Sequence, residues 1–259
     1  MTGTPTLRLG TAFWSFVLFM LVLTGLFAWL GVWQLERLAE KEALIAEVDR
    51  QLTQPPYDLP PADQWDAIDL DIYAYHPLTL TGHYLNNQSV LVFTSLSEAK
   101  GRFAGPGYWV MTPFVPDVGG TVFVNRGFIP QSSASSFASG GNGPEGQQTI
   151  SGVALRPELA GPFTPAPDIP KRIEWVRDPV RLAAMAGISG PLFGLTVDVP
   201  AGDPGALPQG GETVIEFPNN HFGYALTWFG FALLTPVLLA YWVFRQLRPK
   251  SPSSPSTSG

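Results

Sequence analysis

The chain has 259 residues, 45% of them hydrophobic and only 14% charged, against about a quarter charged in an ordinary soluble domain. Its formal net charge of -6 is the wrong sign for a surface that neutralises phosphates, so nucleic acid is excluded as an expected partner. There is no cysteine, which removes disulfides, thiolate nucleophiles and every Cys-based zinc, copper or covalent haem site together.

The missing charge has a location. Residues 9–35 carry none, and their core, AFWSFVLFMLVLTGLFAWLGVW, is longer than the roughly 20 residues that cross about 30 Å of hydrocarbon. The run is too long for the apolar region of a cleaved signal peptide, and no small-residue cleavage site follows it. A second run, FGYALTWFGFALLTPVLLAYWVF, lies between Glu216 and Arg245. Trp14, Trp29, Trp33, Trp228 and Trp242 lie in or at the ends of the two runs, as interfacial anchors do. Pro236 falls inside the second, where lipid-embedded helices tolerate a kink. All 21 acidic residues lie between Glu36 and Glu216 beside 11 basic ones, whereas the tails hold only Arg8, Arg245, Arg248 and Lys250. The positive-inside rule then places both termini in the cytoplasm and the acidic middle outside it.

The expected organisation is a cytoplasmic N-terminus (1–11), a first transmembrane helix (12–33), an amphipathic stalk (34–53), an extracytoplasmic β-rich domain (54–217), a second transmembrane helix (219–244) and a cytoplasmic disordered tail (245–259). The stalk rests on Leu35, Leu38, Ile45, Val48 and Leu52 sharing a helical face until Gln54-Pro55-Pro56 stops it. Beyond it come short β-like runs: HPLTLTGHYL (76–85), QSVLVFT (88–94), YWVMTPFV (108–115), TVFVNRGFI (121–129), QTISGVAL (148–155), RIEWV (172–176) and LFGLTVDV (192–199). Pro116-Asp117-Val118-Gly119-Gly120 reads as a hairpin loop and Gly105-Pro106-Gly107 as a turn. One short helix is expected, with Asp178 as N-cap, Pro179 first, Val180 to Ala186 as its body and Gly187 as its stop. Residues 131–147 and 201–212, rich in Ser, Gly and Pro, read as mobile loops. The fold class is therefore a membrane protein: two transmembrane helices bracketing a mainly antiparallel β sandwich or small barrel with a short helix.

Standard catalytic signatures are absent: there is no Walker loop, no H-E-x-x-H and no G-x-S-x-G, so no enzymatic activity is expected. His76 and His83 read as polar residues on the solvated side of a sheet, and Asp63, Asp66, Asp69 and Asp71 as a solvated acidic surface. His221 differs by position, because it opens the second apolar run. With a helix starting near Asn219, His221, Tyr224, Ala225 and Trp228 share one face. The imidazole is either an interfacial anchor or an axial ligand for a planar, lipophilic metal cofactor such as a haem, and spacing alone does not choose.

Several ordered motifs carry a family resemblance. They are Gly31-Val32-Trp33-Gln34-Leu35-Glu36-Arg37-Leu38 with Lys41, Gly105-Pro106-Gly107-Tyr108 with Thr112-Pro113, Val124-Asn125-Arg126-Gly127-Phe128-Ile129-Pro130, residues 175–187, and Asn219-Asn220-His221-Phe222-Gly223-Tyr224-Ala225-Leu226-Thr227-Trp228-Phe229. Together they resemble the surfeit-locus-1 family over nearly the whole chain, although Phe128 stands where the family commonly has Trp. The resemblance implies an assembly factor for cytochrome c oxidase of the aa3 type that binds haem a transiently and assists its insertion into the catalytic subunit. It implies His221 as the metal-binding and cofactor-binding residue, with Tyr224 and Trp228 beside it. Partners would be the lipid bilayer, the oxidase catalytic subunit and the haem a synthesis machinery. The alternative is a structural scaffold that stabilises an early oxidase subunit intermediate without binding haem. Arg37 and Arg126 would pair with propionates or a partner, or else simply shape element ends. The short stretch before the first helix leaves no room for a mitochondrial transit peptide, so the expected setting is the bacterial plasma membrane with a periplasmic domain.

Overall fold

From the N-terminus the computed structural model forms α1 (Thr11–Leu52), β1 (Tyr57–Asp58), β2 (Pro77–Tyr84), β3 (Val90–Leu96) and β4 (Gly105–Pro116). Then follow β5 (Thr121–Pro130), α2 (Ala134–Phe137), β6 (Gln148–Leu155), β7 (Ile173–Glu174), α3 (Pro179–Ala186), β8 (Leu192–Asp198) and α4 (His221–Leu247). The structure describes residues 10–137, 141, 143–215 and 217–248. Arg8, Glu216, Lys250, most of the expected cytoplasmic tails and part of the 131–147 loop lie outside the described residues.

The described residues form two compact units, one of residues 10–45 with 217–248 and one lying within residues 46–215. In the first, α1 and α4 are both long and apolar enough to cross a membrane. Only 11% of the most apolar window of each is buried, so neither is the enclosed core helix of a soluble domain.

The second unit is a β structure. Along β2 the burial alternates, with Leu78 and Leu80 inside and Thr79 and Thr81 outward, as a pleat with one apolar face requires. β2 pairs antiparallel with β6, β6 with β8, β5 with β4, and the end of β4 returns to β2 through Gly82, His83 and Tyr84. β8 and β5 pair in parallel. The ring β2–β6–β8–β5–β4–β2 therefore closes on itself as a five-stranded barrel, which removes the open edges of those strands. Leu78, Leu80, Phe114, Val122, Val124, Phe193, Leu195 and Val197 fill it, together with Trp65.

β3 extends the sheet beyond β4 and carries β7 on its outer side. Both faces of this extension are covered. Leu182, Ala183 and Ala186 of α3 pack on Val90, Val92, Met111, Phe123 and Phe128, while Ala134 and Phe137 of α2 pack on Leu91, Val110 and Ile129. Double coverage explains why β5 is buried along most of its length instead of alternating. The short helix forms as its caps dictate: the Asp178 carboxylate accepts from the Val180 N–H at 2.9 Å, Pro179 opens the helix and Gly187 ends it.

Four expectations need correction. Gly105-Pro106-Gly107 is the start of β4, paired with Thr94, Ser95 and Leu96, and not a turn. His76 is buried and stacks on Tyr57 at 4.7 Å, because β1 runs parallel to β2 beside it; His83 is exposed as expected. Part of the 131–147 loop is ordered into α2 by the apolar seat for Phe137. The 201–212 loop is anchored: buried Gln209 bonds both backbone groups of Phe103 at 2.9 Å, and its main chain pairs with Phe128 at 2.8 Å in both directions. The buried Glu212 carboxylate accepts the Lys100 and Gly101 N–H groups at 2.7 and 2.6 Å. Asp63, Asp66, Asp69 and Asp71 are exposed as expected.

That anchoring depends on Gly127. A bulge in β5, where Arg126 and Gly127 together face Val110, puts Gly127 at φ +126°, and a Cβ there would lie 2.4 Å from the Gln209 backbone. Gly127→Ala is expected to lower the stability of the β domain by roughly 1–3 kcal/mol, read as a shifted urea midpoint of the full chain in detergent; an unchanged midpoint would contradict the close approach.

Candidate cofactor-binding site

His221 is the first residue of α4, with Asn220 as its N-cap and the Tyr224 N–H returning to the Asn220 carbonyl at 3.2 Å. Its ring is held from α1. Nδ1 of His221 lies 2.7 Å from Oε1 of Gln34, and Gln34 is only 9% exposed. Gln34 is the residue that reading along the chain missed, since it is 187 positions away and sits in an otherwise apolar stretch. Its signal was its isolation: an uncharged polar side chain between Trp33 and Leu35, at the end of a membrane run, calls for a partner on a facing helix.

The helices come close enough for this contact because of Gly31. A Cβ at Gly31 would stand 2.7 Å from the Phe229 ring, so α4 lies directly against the α1 backbone one turn before Gln34. Ala225, one turn after His221, is buried in the same seam. Deeper along the pair, Trp228 stacks on Phe27 at 5.7 Å and meets Phe231 edge-on at 6.1 Å. At the far ends Phe13 and Phe16 pack on Trp242 at 5.2 and 4.5 Å. Of the expected face, then, His221, Ala225 and Trp228 turn toward α1, whereas Tyr224 is 57% exposed on the outer side of α4. Lys41 of α1 caps the Phe217 ring at 5.2 Å just before the helix start.

Chemically the arrangement offers one imidazole with a defined partner on one nitrogen. Among the described residues no other partner of the ring is found, and no cluster of three or more His, Asp or Glu is gathered for a metal ion. A single imidazole of this kind could supply one ligand to a metal-bearing cofactor.

Arg37 is exposed, paired with Glu40 at 2.7 Å and placed over Trp33 at 5.7 Å. Arg126 lies over the Tyr84 ring at 5.8 Å, and burial pushes the Tyr84 hydroxyl up to about 12 while Arg126 pulls the other way. Beside it is a buried polar cluster that the sequence did not announce. The Asp198 carboxylate accepts from Asn125 at 2.9 Å, from Arg177 at 3.1 Å and from Thr213. Arg177 in turn is held by Glu158 at 2.7 Å and lies over Trp109. Burial raises the Asp198 carboxyl above the ordinary aspartate range despite Arg177. The cluster joins β5, β8, the chain before α3 and the chain after β8, a structural role that explains Asn125.

These features define a class: a membrane-anchored β-barrel protein with a single histidine heading its second spanning helix. The chain belongs to the SURF1 family, whose model matches residues 21–233. It is 30% identical over 244 residues to a SURF1-like protein of Monosiga brevicollis, covering 92% of this chain and 88% of that protein. It is 32% identical over 233 residues to Surfeit locus protein 1 of Mus musculus, covering 85% of this chain and 73% of the mouse protein. A SURF1-like protein of Rickettsia bellii is 28% identical over 206 residues, 78% of this chain and 80% of that protein.

The polar cluster yields a test with a sign. In Arg177→Met the Asp198 carboxylate is left without its cation, which is expected to lower stability by about 3–5 kcal/mol at neutral pH. A carboxyl with a raised folded-state pKa favours the fold below its ordinary pKa and disfavours it as pH rises through the raised value. The deficit of Arg177→Met should therefore shrink in urea titrations at acid pH and grow toward neutrality; a deficit independent of pH would refute this account of the cluster.

Proposed function

We propose that this protein is an assembly factor for an aa3-type cytochrome c oxidase, holding haem a at His221 and assisting its insertion into the catalytic subunit. The observation that carries the reading is the His221–Gln34 pair: an imidazole at the end of a membrane-crossing helix pair, engaged on Nδ1 and, among the described residues, with no hydrogen-bond partner on Nε2. When bound, haem a would supply an iron centre, held by His221, within a porphyrin that carries a long isoprenoid tail. Exposing such a tail to water is unfavourable by about 25 cal/mol per Å² of apolar area, so a site on lipid-facing helices is where a carrier keeps it. The exposed Tyr224 ring, one turn along α4 from His221, offers an aromatic face to a flat ligand, while Trp228 is engaged by Phe27 deeper in the pair. One protein ligand gives weaker attachment than two, which suits passing the cofactor on.

The charge distribution supports an orientation with both termini on the inner side of the membrane and the β domain on the outer side, the periplasm if the membrane is a bacterial plasma membrane. From that position the protein would receive haem a from the synthesis machinery and present it to the oxidase catalytic subunit within the same membrane. The expected role is non-enzymatic.

To test this, the protein is purified from cells that make haem a and its reduced-minus-oxidised spectrum recorded beside that of His221→Ala. A haem a signal in the wild type that His221→Ala loses is the expected result. Wild-type protein without haem a would defeat the carrier reading, and normal oxidase assembly in His221→Ala would favour a scaffold that works through the β domain.

A further inference from the structure

We propose that Gln34 is a positioning residue that fixes the tautomer of His221, holding the proton on Nδ1 so that the Nε2 lone pair is the one presented to a ligand. The inference deepens the haem-holding reading in its binding arm and rests on it there; its tautomer arm does not. The geometry is on α1 and α4 alone. Oε1 of Gln34 can only accept, it lies 2.7 Å from Nδ1, and Gln34 is buried against the helix seam. Free imidazole side chains in water favour the other tautomer, with the proton on Nε2. With Oε1 facing Nδ1, as here, the amide oxygen accepts the Nδ1 proton and reverses that preference; the opposite tautomer would require the amide to turn over and present its NH2 to Nδ1.

The placement of Gln34 is over-determined in a way that a casual contact is not. Gly31 brings α4 against the α1 backbone one turn away, and Ala225 keeps the seam narrow one turn into α4. His221 is thereby prevented from turning its Nδ1 edge outward without breaking the only partner its ring has among the described residues.

The choice of an amide over a carboxylate has a chemical meaning. Histidine ligands usually donate their second nitrogen to a carboxylate or a carbonyl, and the anionic acceptor makes the imidazole the more basic ligand. Gln34 orients without adding charge. That gives a ligand held in the right direction yet of ordinary donor strength, as a site that must release its cofactor requires.

The test uses the full chain in lipid nanodiscs with ¹⁵N-labelled histidine. His221 is assigned among the three histidines by comparison with His221→Asn. In the wild type without haem the expected signature is protonated Nδ1 and bare Nε2. Gln34→Leu, similar in volume, should move His221 toward the Nε2–H form, and Gln34→Glu should restore Nδ1–H. A wild-type His221 carrying its proton on Nε2, or a Gln34→Leu spectrum equal to wild type, would overturn the proposal. In the second arm haem a is titrated into the same three proteins. Gln34→Leu should bind roughly 10–100-fold more weakly, while Gln34→Glu should bind at least as tightly as wild type, with a more negative reduction potential and slower release. Equal affinity and potential in all three proteins would also overturn it. Wild-type protein that binds no haem a would strike the carrier reading only, since the tautomer spectra decide the role of Gln34 by themselves.

Discussion

The β domain depends on one strand. β8 lies between β6, its antiparallel neighbour, and β5, its parallel one, and without it the ring of pairings stays open. Closure gathers Phe193, Leu195 and Val197 into the barrel interior. At its end β8 delivers Asp198 to Asn125, Arg177 and Thr213, so that the covalently distant chain segments around it are locked by one buried carboxylate. Because a buried charge is tolerable only with partners in place, the cluster also makes the arrangement of those segments specific. The loop that leaves β8 is then fixed by Gln209 and Glu212 to the backbone of residues 100–103 and to the β5 bulge.

The helix unit follows a parallel logic in a different solvent. Lipid gives helices little hydrophobic reason to associate, so close packing and a few hydrogen bonds select the partner face. Here the packing is Gly31 against Phe229 and the aromatic sets around Trp228 and Trp242, and the hydrogen bond is Gln34 to His221. The same hydrogen bond that specifies the pairing also orients the His221 imidazole. In the proposed carrier the structural and functional demands on Gln34 coincide.

Much of the fold was legible in the chain, and the exceptions share a cause. Apolar runs bounded by turn residues mark the six strands longer than two residues, and Asp178, Pro179 and Gly187 mark α3, because these signals act over a few neighbouring residues. β1 is two residues long and parallel to β2, too short to leave a pattern, and it is the element that covers His76. Barrel closure and the β8–β5 pairing join segments about 70 residues apart, where no local rule applies. At the site, His221 stood out as an ionisable residue at the head of an apolar run, whereas Gln34 and the Arg177–Asp198 pair gain meaning only from partners brought by the fold. Tyr224 shows the limit of helical-face arithmetic: it shares a stripe with His221, yet the seam with α1 is narrow enough to leave it outside.

The two ends of the helix pair are matched in length. Phe13 and Gln34 on α1 are 21 residues apart, and so are His221 and Trp242 on α4; at 1.5 Å per residue this is about 32 Å of helix. That is close to the hydrocarbon thickness of a bilayer, about 30 Å on average. An aromatic clasp therefore marks one boundary and a polar clasp the other. A bilayer thinned by several ångströms would have to tilt the pair or leave one clasp in the wrong medium, so lipid thickness becomes a variable that sets how deep the imidazole sits.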